Sequence, residues 1–179
     1  MFALLQLILL SPLFAIISLL IFFFDGVPVL FIQKRVGKNS RYFNVYKFRT
    51  MKIDTPNVAT HLLKNHEQHV SSFGKFLRRY SLDELPNLIN IAKGEMGFVG
   101  PRPVLYKELD LIQLRKKKGV DKLLPGLTGL AQINGRDNLS IEEKVSYELE
   151  YRERKSILFD VTIIFKTISH AVFRRGVTH

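Results

Sequence analysis

The chain opens on an uncharged apolar run, Phe2 to Phe24, interrupted only by Gln6, Ser11, Pro12 and Ser18. About 20 apolar residues in helical conformation cross the hydrocarbon of a bilayer, so the run is long enough to span one. A cleaved signal sequence would carry a basic start and a small-residue cleavage site after a shorter apolar stretch. Here no Lys or Arg precedes the run, and it ends Phe22-Phe23-Phe24-Asp25. Proline cannot donate the helical hydrogen bond and clashes with the preceding turn, so Pro12 predicts a kink or a break. Two topologies follow: a kinked spanning helix, or a hairpin that enters one leaflet and returns. In the second, each arm has about 11 to 13 residues, roughly 17 to 20 Å at helical rise, too short to cross. The residues alone leave both open.

The pattern then changes. VLFIQKRV (29–36) is strand-like, GKNSR carries turn chemistry and YFNVYKFRTM alternates apolar with polar, which together predict a β-hairpin. MKIDTPNVATHLLKNHEQHV (51–70) is polar and starts as a loop. SSFGKFLRRYS is short and amphipathic, with Phe73, Phe76, Leu77 and Tyr80 near one face. LPNLINIAKGEMG is a second helix that ends at Gly94 or shortly after, and GFVGPRPV is a turn. A charged helix is expected from about Tyr106 to Lys118, then a loop and short strand in LLPGLTGLAQINGR. Ser140 with Glu143 has capping-box spacing and opens another helix. ILFDVTIIFKTISHAVFRRG is a long final helix. The sum is an α+β chain, mainly helical, with a small hairpin. Several helices are apolar on one side and basic at the edges, a pattern shared by core helices and helices lying in a membrane interface.

Charge sharpens this picture. Lys and Arg number 27 against 16 acids, a net charge of +11 over 179 residues. Such a surplus points to an anionic partner. Much of it lies beside the apolar run: Lys34, Arg35, Lys38, Arg41, Lys47, Arg49 and Lys52, with no acid between residues 26 and 53. Positive charge next to a membrane segment favours the cytoplasmic side and attracts anionic headgroups. The absence of cysteine excludes disulfides, a thiol nucleophile and cysteine-ligated zinc. No nucleic-acid motif is recognisable.

The candidate chemistry lies in RRYSLDELPN, residues 78 to 87. Ser81 and Glu84 have capping-box spacing, but Pro86 would then fall inside the helix. With Asp83 as the N-cap, Pro86 becomes the third helical residue, where the N–H has no helical partner in any case. Proline therefore favours Asp83 as cap, with Glu84 in the first turn. A helix N-terminus with Arg78 and Arg79 nearby favours ionised carboxylates. An ionised Asp is both a nucleophile towards phosphorus and a ligand for magnesium. An ordinary cap has the same features. KFRT, GPRP and NGR each hold a basic residue beside turn formers, so Lys47, Arg49, Arg102 and Arg136 are candidates to converge on phosphate.

The order of these motifs resembles the bacterial sugar transferase family, the monotopic phosphoglycosyl transferases. An apolar segment with Ser-Pro, QKRVG, YKFRTM, LRRYSLDELPN, KGEMGFVGPRP and PGLTGLAQINGR run over nearly the whole chain. MKIDTPNVAT is similar to the capsular-polysaccharide branch. The resemblance implies transfer of a sugar-1-phosphate from a UDP-sugar to polyprenyl (undecaprenyl) phosphate at the cytoplasmic face of a bacterial inner membrane, with release of UMP. The lipid-linked sugar then starts a capsule, O-antigen or other glycoconjugate. It also implies a ping-pong mechanism with Asp83 as nucleophile, Mg2+ as cofactor, and Glu84 as partner carboxylate, with Asp83 and Glu84 together the metal ligands. Lys47, Arg78, Arg102 and Arg136 match substrate or phosphate positions. Ser11-Pro12 matches the helix-break motif and favours a re-entrant hairpin.

On that reading, residues 1–25 form the re-entrant membrane hairpin and residues 26–179 a membrane-associated catalytic domain of amphipathic interfacial helices around a cytoplasmic site. An N-acetylated or deoxy hexosamine is the expected sugar. A homo-oligomer is open, because an apolar helix suits lipid or a second copy equally. The alternative is a tethered basic module that binds anionic lipid or nucleic acid without chemistry. Three departures stand out. The chain starts inside the region where the family usually has basic residues and an Asp, which leaves a truncated or misassigned start open. Asn87 stands where glutamine is usual, and Gly97 where serine is usual.

Overall fold

The computed structural model describes residues 2–53, 55, 66–135 and 138–173. They are mainly helical with two small sheets. They form two compact units, one of residues 1–33 and 45–92, the other of residues 34–44 and 93–179. The expected division at residue 25 separates lipid-facing from water-facing chain, whereas these units are divided by contact, so the boundaries differ in kind.

In the first unit the apolar run forms α1 (Phe2–Leu9) and α2 (Ser11–Asp25), bent by 60° at Leu10. Among the described residues no single helix is long and apolar enough to cross a membrane, though this bent pair meets the length and composition together. The break has a local cause. Pro12 has no N–H to offer the carbonyl of Ile8, four residues back. The Ser11 hydroxyl donates to that carbonyl instead, at 2.8 Å. Leu13, Phe14, Ile17 and Ile21 recur at helical spacing and face inward, packing with Phe48, Leu77, Leu82 and Leu85. The other faces leave Leu4, Leu5, Ile8, Leu9, Phe23 and Phe24 more than half exposed, a larger apolar surface than soluble chains usually show.

The hairpin is β1 (Leu30–Val36) and β2 (Tyr42–Phe48), as the alternation predicts. Asn39 and Ser40 both have positive φ at its tip, the geometry of a type I′ turn, and the Arg41 N–H donates to the Lys38 carbonyl. After β2 come α3 (His66–His69), α4 (Ser72–Arg79) and α5 (Asn87–Ala92). Ser71 caps α4, its hydroxyl accepting from the Gly74 N–H at 2.8 Å. Gly74 is needed there because a Cβ would lie 2.2 Å from the Thr50 carbonyl oxygen. Most of the loop expected in 51–70 lies outside the described residues.

The second unit holds β3 (Gly97–Val99), β4 (Val104–Leu105), α6 (Leu109–Lys118), β5 (Gly126–Thr128), α7 (Leu130–Ile133), α8 (Ile141–Arg154) and α9 (Ile157–Phe173). The hairpin tip belongs here, with Arg35 and Val36 opposite Leu105 and Val104 in antiparallel register. β3 and β5 pair in parallel, Gly97 opposite Gly126 and Val99 opposite Thr128. Several expectations change. GFVGPRPV is two short strands around a turn rather than a turn alone. α6 starts at Leu109 rather than Tyr106, and LAQI forms a helical turn. These elements are too short to show periodicity. The GFVG and PGLTG segments meet backbone to backbone: a Cβ on Gly126 would lie 2.1 Å from the Gly100 nitrogen. The capping box at Ser140 and Glu143 forms as expected.

One buried ion pair anchors this unit. The Arg115 guanidinium is forked onto both carboxylate oxygens of Glu148, joining α6 to α8, and donates through Nη1 to the Arg102 carbonyl at 3.0 Å. Burial raises the Glu148 pKa, and Arg115 opposes that rise. Removing one partner of such a pair strands a buried charge. We therefore expect Glu148→Gln or Arg115→Met to lower unfolding stability by about 3 kcal/mol. Replacing both by apolar residues should recover much of that loss. Thermal unfolding of the detergent-solubilised protein checks both expectations.

Candidate active site

The acidic pair sits in the connection between α4 and α5 of the first unit. Here the structure corrects the expected cap. Asp83 is the middle residue of a single 3-10 turn, Leu82–Glu84, not the N-cap of a helix, and α5 begins only at Asn87. Ser81 does not cap either. It adopts a left-handed conformation, φ 54°, with no side-chain capping bond. Three-residue bonds run from Glu84 to Ser81, Leu85 to Leu82, Leu88 to Leu85 and Ile89 to Pro86. This tighter bonding, and not the missing Pro86 N–H, sets the acidic pair in a 3-10 turn, since a first-turn proline is compatible with either form. A non-glycine residue with positive φ costs energy and marks a position held by its surroundings. Here it turns the chain sharply out of α4 and into the acidic pair.

The cations of the first unit are placed by β2 and α4. Side chains alternate along a strand, so burying Phe48 in the core sends Lys47 to the other face. There the Lys47 ammonium meets Glu84 Oε1 at 2.5 Å, with both side chains about four-fifths shielded from solvent. Arg78, in the last turn of α4, donates from Nε to the Thr50 hydroxyl at 2.9 Å. The structure thus brings Lys47 to Glu84, and places Arg78 in the last turn of α4, just ahead of the connection that holds Asp83. Asp83 has interactions of its own.

The remaining candidates divide as follows. Arg49 is 6 % exposed and donates from Nη2 to the carbonyls of Asp25 and Gly26. It binds the end of α2 and is not placed as a phosphate ligand. Arg102 lies in the second unit, on the turn between β3 and β4, whose backbone Arg115 holds. Arg136 lies outside the described residues. Ser11 and Pro12 form the helix break described above. Arg115, Thr50 and Ser81 were not legible as supporting residues. Arg115 sits in the run Arg115-Lys116-Lys117-Lys118, which reads as solvated charge. Of the departures, Asn87 is 2 % exposed and its Oδ1 has no hydrogen-bond partner among the described residues. Gly97 has room for a side chain, since a Cβ there would have ordinary contacts at 3.5 Å and beyond.

A metal fits this site only with help from a ligand. Among the described residues no group of three or more His, Asp or Glu side chains is gathered tightly enough to hold an ion. Magnesium commonly takes one or two carboxylates and completes its shell with water and substrate phosphates, and adjacent Asp83 and Glu84 match that donor set.

The chain belongs to the bacterial sugar transferase family, whose pattern it matches over residues 1–174. Among its relatives is the exopolysaccharide production protein ExoY of Sinorhizobium fredii, 38% identical over 189 residues, covering 97% of this chain and 83% of that protein. The UDP-glucose:undecaprenyl-phosphate glucose-1-phosphate transferase of Escherichia coli is 40% identical over 93% of this chain and 37% of its own length. The undecaprenyl-phosphate glucose phosphotransferase of Komagataeibacter xylinus is 38% identical over 96% of this chain and 34% of its own.

The Lys47–Glu84 contact makes a measurable claim. Lys47→Met and Glu84→Gln should each destabilise the protein. The double variant should lose less than the sum, with a coupling of about 0.5 to 3 kcal/mol. Denaturant unfolding of the four proteins gives that coupling directly, and simple additivity would mean the contact is not held in solution.

Proposed function

We propose that this chain transfers a sugar-1-phosphate from a UDP-sugar to undecaprenyl phosphate, or a related polyprenyl phosphate, releasing UMP. The product is a polyprenyl-diphosphate sugar that initiates an exopolysaccharide, capsule or similar glycoconjugate. The observation that carries this reading is the acidic turn. Asp83 lies beside a Glu84 engaged by Lys47 and close in sequence to Arg78, in a chain of the sugar transferase family. Two of the relatives named above, those of Escherichia coli and Komagataeibacter xylinus, are named for undecaprenyl phosphate and support the acceptor.

The chemistry follows from the charges. A carboxylate oxygen of Asp83 attacks the sugar-bearing phosphorus of the donor. The bond from that phosphorus to the bridging oxygen breaks, and its electron pair leaves with UMP. Asp83 then carries the phospho-sugar as an acyl phosphate. An oxygen of the acceptor phosphate attacks the same phosphorus, the Asp83 oxygen–phosphorus bond breaks, and the carboxylate is returned. Both steps bring anion to anion, so fixed positive charge must offset the repulsion. Lys47, Arg78, Arg102 and Arg136 are assigned to that task, and Glu84 to orienting the site through Lys47. Magnesium, held by Asp83 and Glu84 together with donor phosphates, would neutralise diphosphate charge.

The bent α1–α2 pair and its exposed apolar faces support a re-entrant hairpin in the inner membrane, with the body on the cytoplasmic face. The hexosamine expected from MKIDTPNVAT stands beside the glucose in the relatives' names, so a donor panel must include both.

Two outcomes test this reading. Purified protein with undecaprenyl phosphate, magnesium and a panel of UDP-sugars should release UMP with at least one donor. Asp83→Asn should abolish the release, whereas undiminished turnover would remove Asp83 as nucleophile. A binding-only module would show no release and would tolerate the substitution. For topology, a tag at residue 1 should be reached by label only from the cytoplasmic side, and periplasmic labelling would contradict the hairpin.

A further inference from the structure

A second feature of the first unit reaches the acidic turn from the membrane helix. Phe24, at the end of α2, packs against Phe73 of α4 with ring centroids 6.0 Å apart. Phe73 stacks on Phe76 at 6.0 Å with an interplanar angle of 15°. Phe76 meets Tyr80 at 5.1 Å. The row is open to its surroundings: Phe24, Phe76 and Tyr80 are 71%, 49% and 54% exposed. It runs from the last turn of the apolar segment to Tyr80. Three residues extend at most about 11 Å, so Tyr80 stands within that distance of Asp83, measured between Cα atoms. At the same end the Arg79 guanidinium lies 5.7 Å from the Tyr80 ring, and Arg78 is adjacent in sequence.

We propose that the row Phe24–Phe73–Phe76–Tyr80 is the track on which the isoprenoid chain of the acceptor lies, guiding its phosphate to Asp83. This rests on the transferase reading above. The geometry favours that occupant for a simple reason. The acceptor must place a charged phosphate at the acidic turn while its tail stays in apolar surroundings. That requires an apolar path from membrane segment to nucleophile, ending in positive charge. The row has both ends: Phe24 on the apolar helix, and Tyr80 with Arg78 and Arg79 beside the dyad. Rings spaced 5.1 to 6.0 Å apart form a near-continuous aromatic surface along which a branched, unsaturated chain can lie. A surface serving only as bilayer contact has no need to end at the nucleophile.

The test is a comparison of acceptors. Phe24→Ala and Phe24→Leu, at the far end of the row, would be assayed with undecaprenyl phosphate and with geranyl phosphate, at fixed detergent and saturating donor. The expected result is a rise of about tenfold in KM for undecaprenyl phosphate with Phe24→Ala, the scale of losing one aromatic contact. The KM for geranyl phosphate, whose short tail ends before Phe24, should rise much less, and the KM for the UDP-sugar should move less than twofold. Should Phe24→Ala fail to fold, Phe24→Leu carries the test, because it keeps most of the apolar area and loses the ring. Equal changes for long and short acceptors would overturn the proposal. So would an unchanged acceptor KM accompanied by weaker binding to vesicles of phosphatidylethanolamine and phosphatidylglycerol, which would make the row a bilayer contact. A wild-type protein that releases no UMP with any donor would fail the transferase reading itself, a result distinct from either.

Discussion

The end of the apolar helix has to be closed, and Arg49 closes it. The last carbonyls of any helix lack partners within the helix, and they carry the negative end of its dipole. At the end of α2 the carbonyls of Asp25 and Gly26 accept from the buried Arg49 guanidinium. The Asp25 side chain accepts from the Ser71 hydroxyl at 2.8 Å, and that same oxygen caps α4. Three pieces of chain distant in sequence are thus tied at one point: the apolar hairpin, the exit of β2 and the start of α4. The guanidinium's Nε and Nη1 are buried without hydrogen-bond partners among the described residues, so the negative helix end is what offsets its burial.

The acidic turn inherits its position from this knot. Residue 49 follows Phe48, which packs on Ile17, Ile21 and Leu77, and residue 47 faces Glu84. Thr50 receives the Ser71 N–H on its carbonyl at 3.0 Å and the Arg78 Nε on its hydroxyl. Four consecutive residues, 47 to 50, therefore contact the acidic pair, the core, the end of the apolar helix and the phosphate-candidate arginine in turn. Alternation along β2 sends Lys47 and Phe48 to opposite faces, and Arg49 and Thr50 follow directly past the end of the strand. In the second unit the equivalent economy is Arg115, one side chain that ties two helices and holds the loop carrying Arg102.

Elements with a long repeat were legible from the chain alone. The hairpin, α4, α8 with its Ser140 box, α9 and the break at Ser11-Pro12 all fall where alternation, capping chemistry or proline place them. The short strand expected in LLPGLTGLAQINGR is β5, but β3, β4 and α7 escaped: β3 is formed by close backbone contact with β5 and β4 by pairing with β1, tertiary causes with no local periodicity. The site was partly legible. The Asp83-Glu84 pair stands out by charge and by Pro86, but its conformation was misread. A helix-cap rule asks only where a helix starts, and it does not foresee a left-handed Ser81 leading into a 3-10 turn. Arg49 looked like one more basic residue beside a turn, because the carbonyls it serves lie 23 and 24 residues away.

The hydroxyl at Ser11 has a consequence in time. The bend between α1 and α2 meets its own hydrogen-bonding need within three residues, through Ser11 and Ile8. No donor from a distant part of the chain is needed for that carbonyl. Local contacts of this kind form in microseconds or less, well ahead of long-range ones. The hydrogen bonding of the elbow can therefore settle early, while the resting place of α1 waits for the later chain, because α1 packs against α5. The bend is a local decision and the docking of its first arm a distant one.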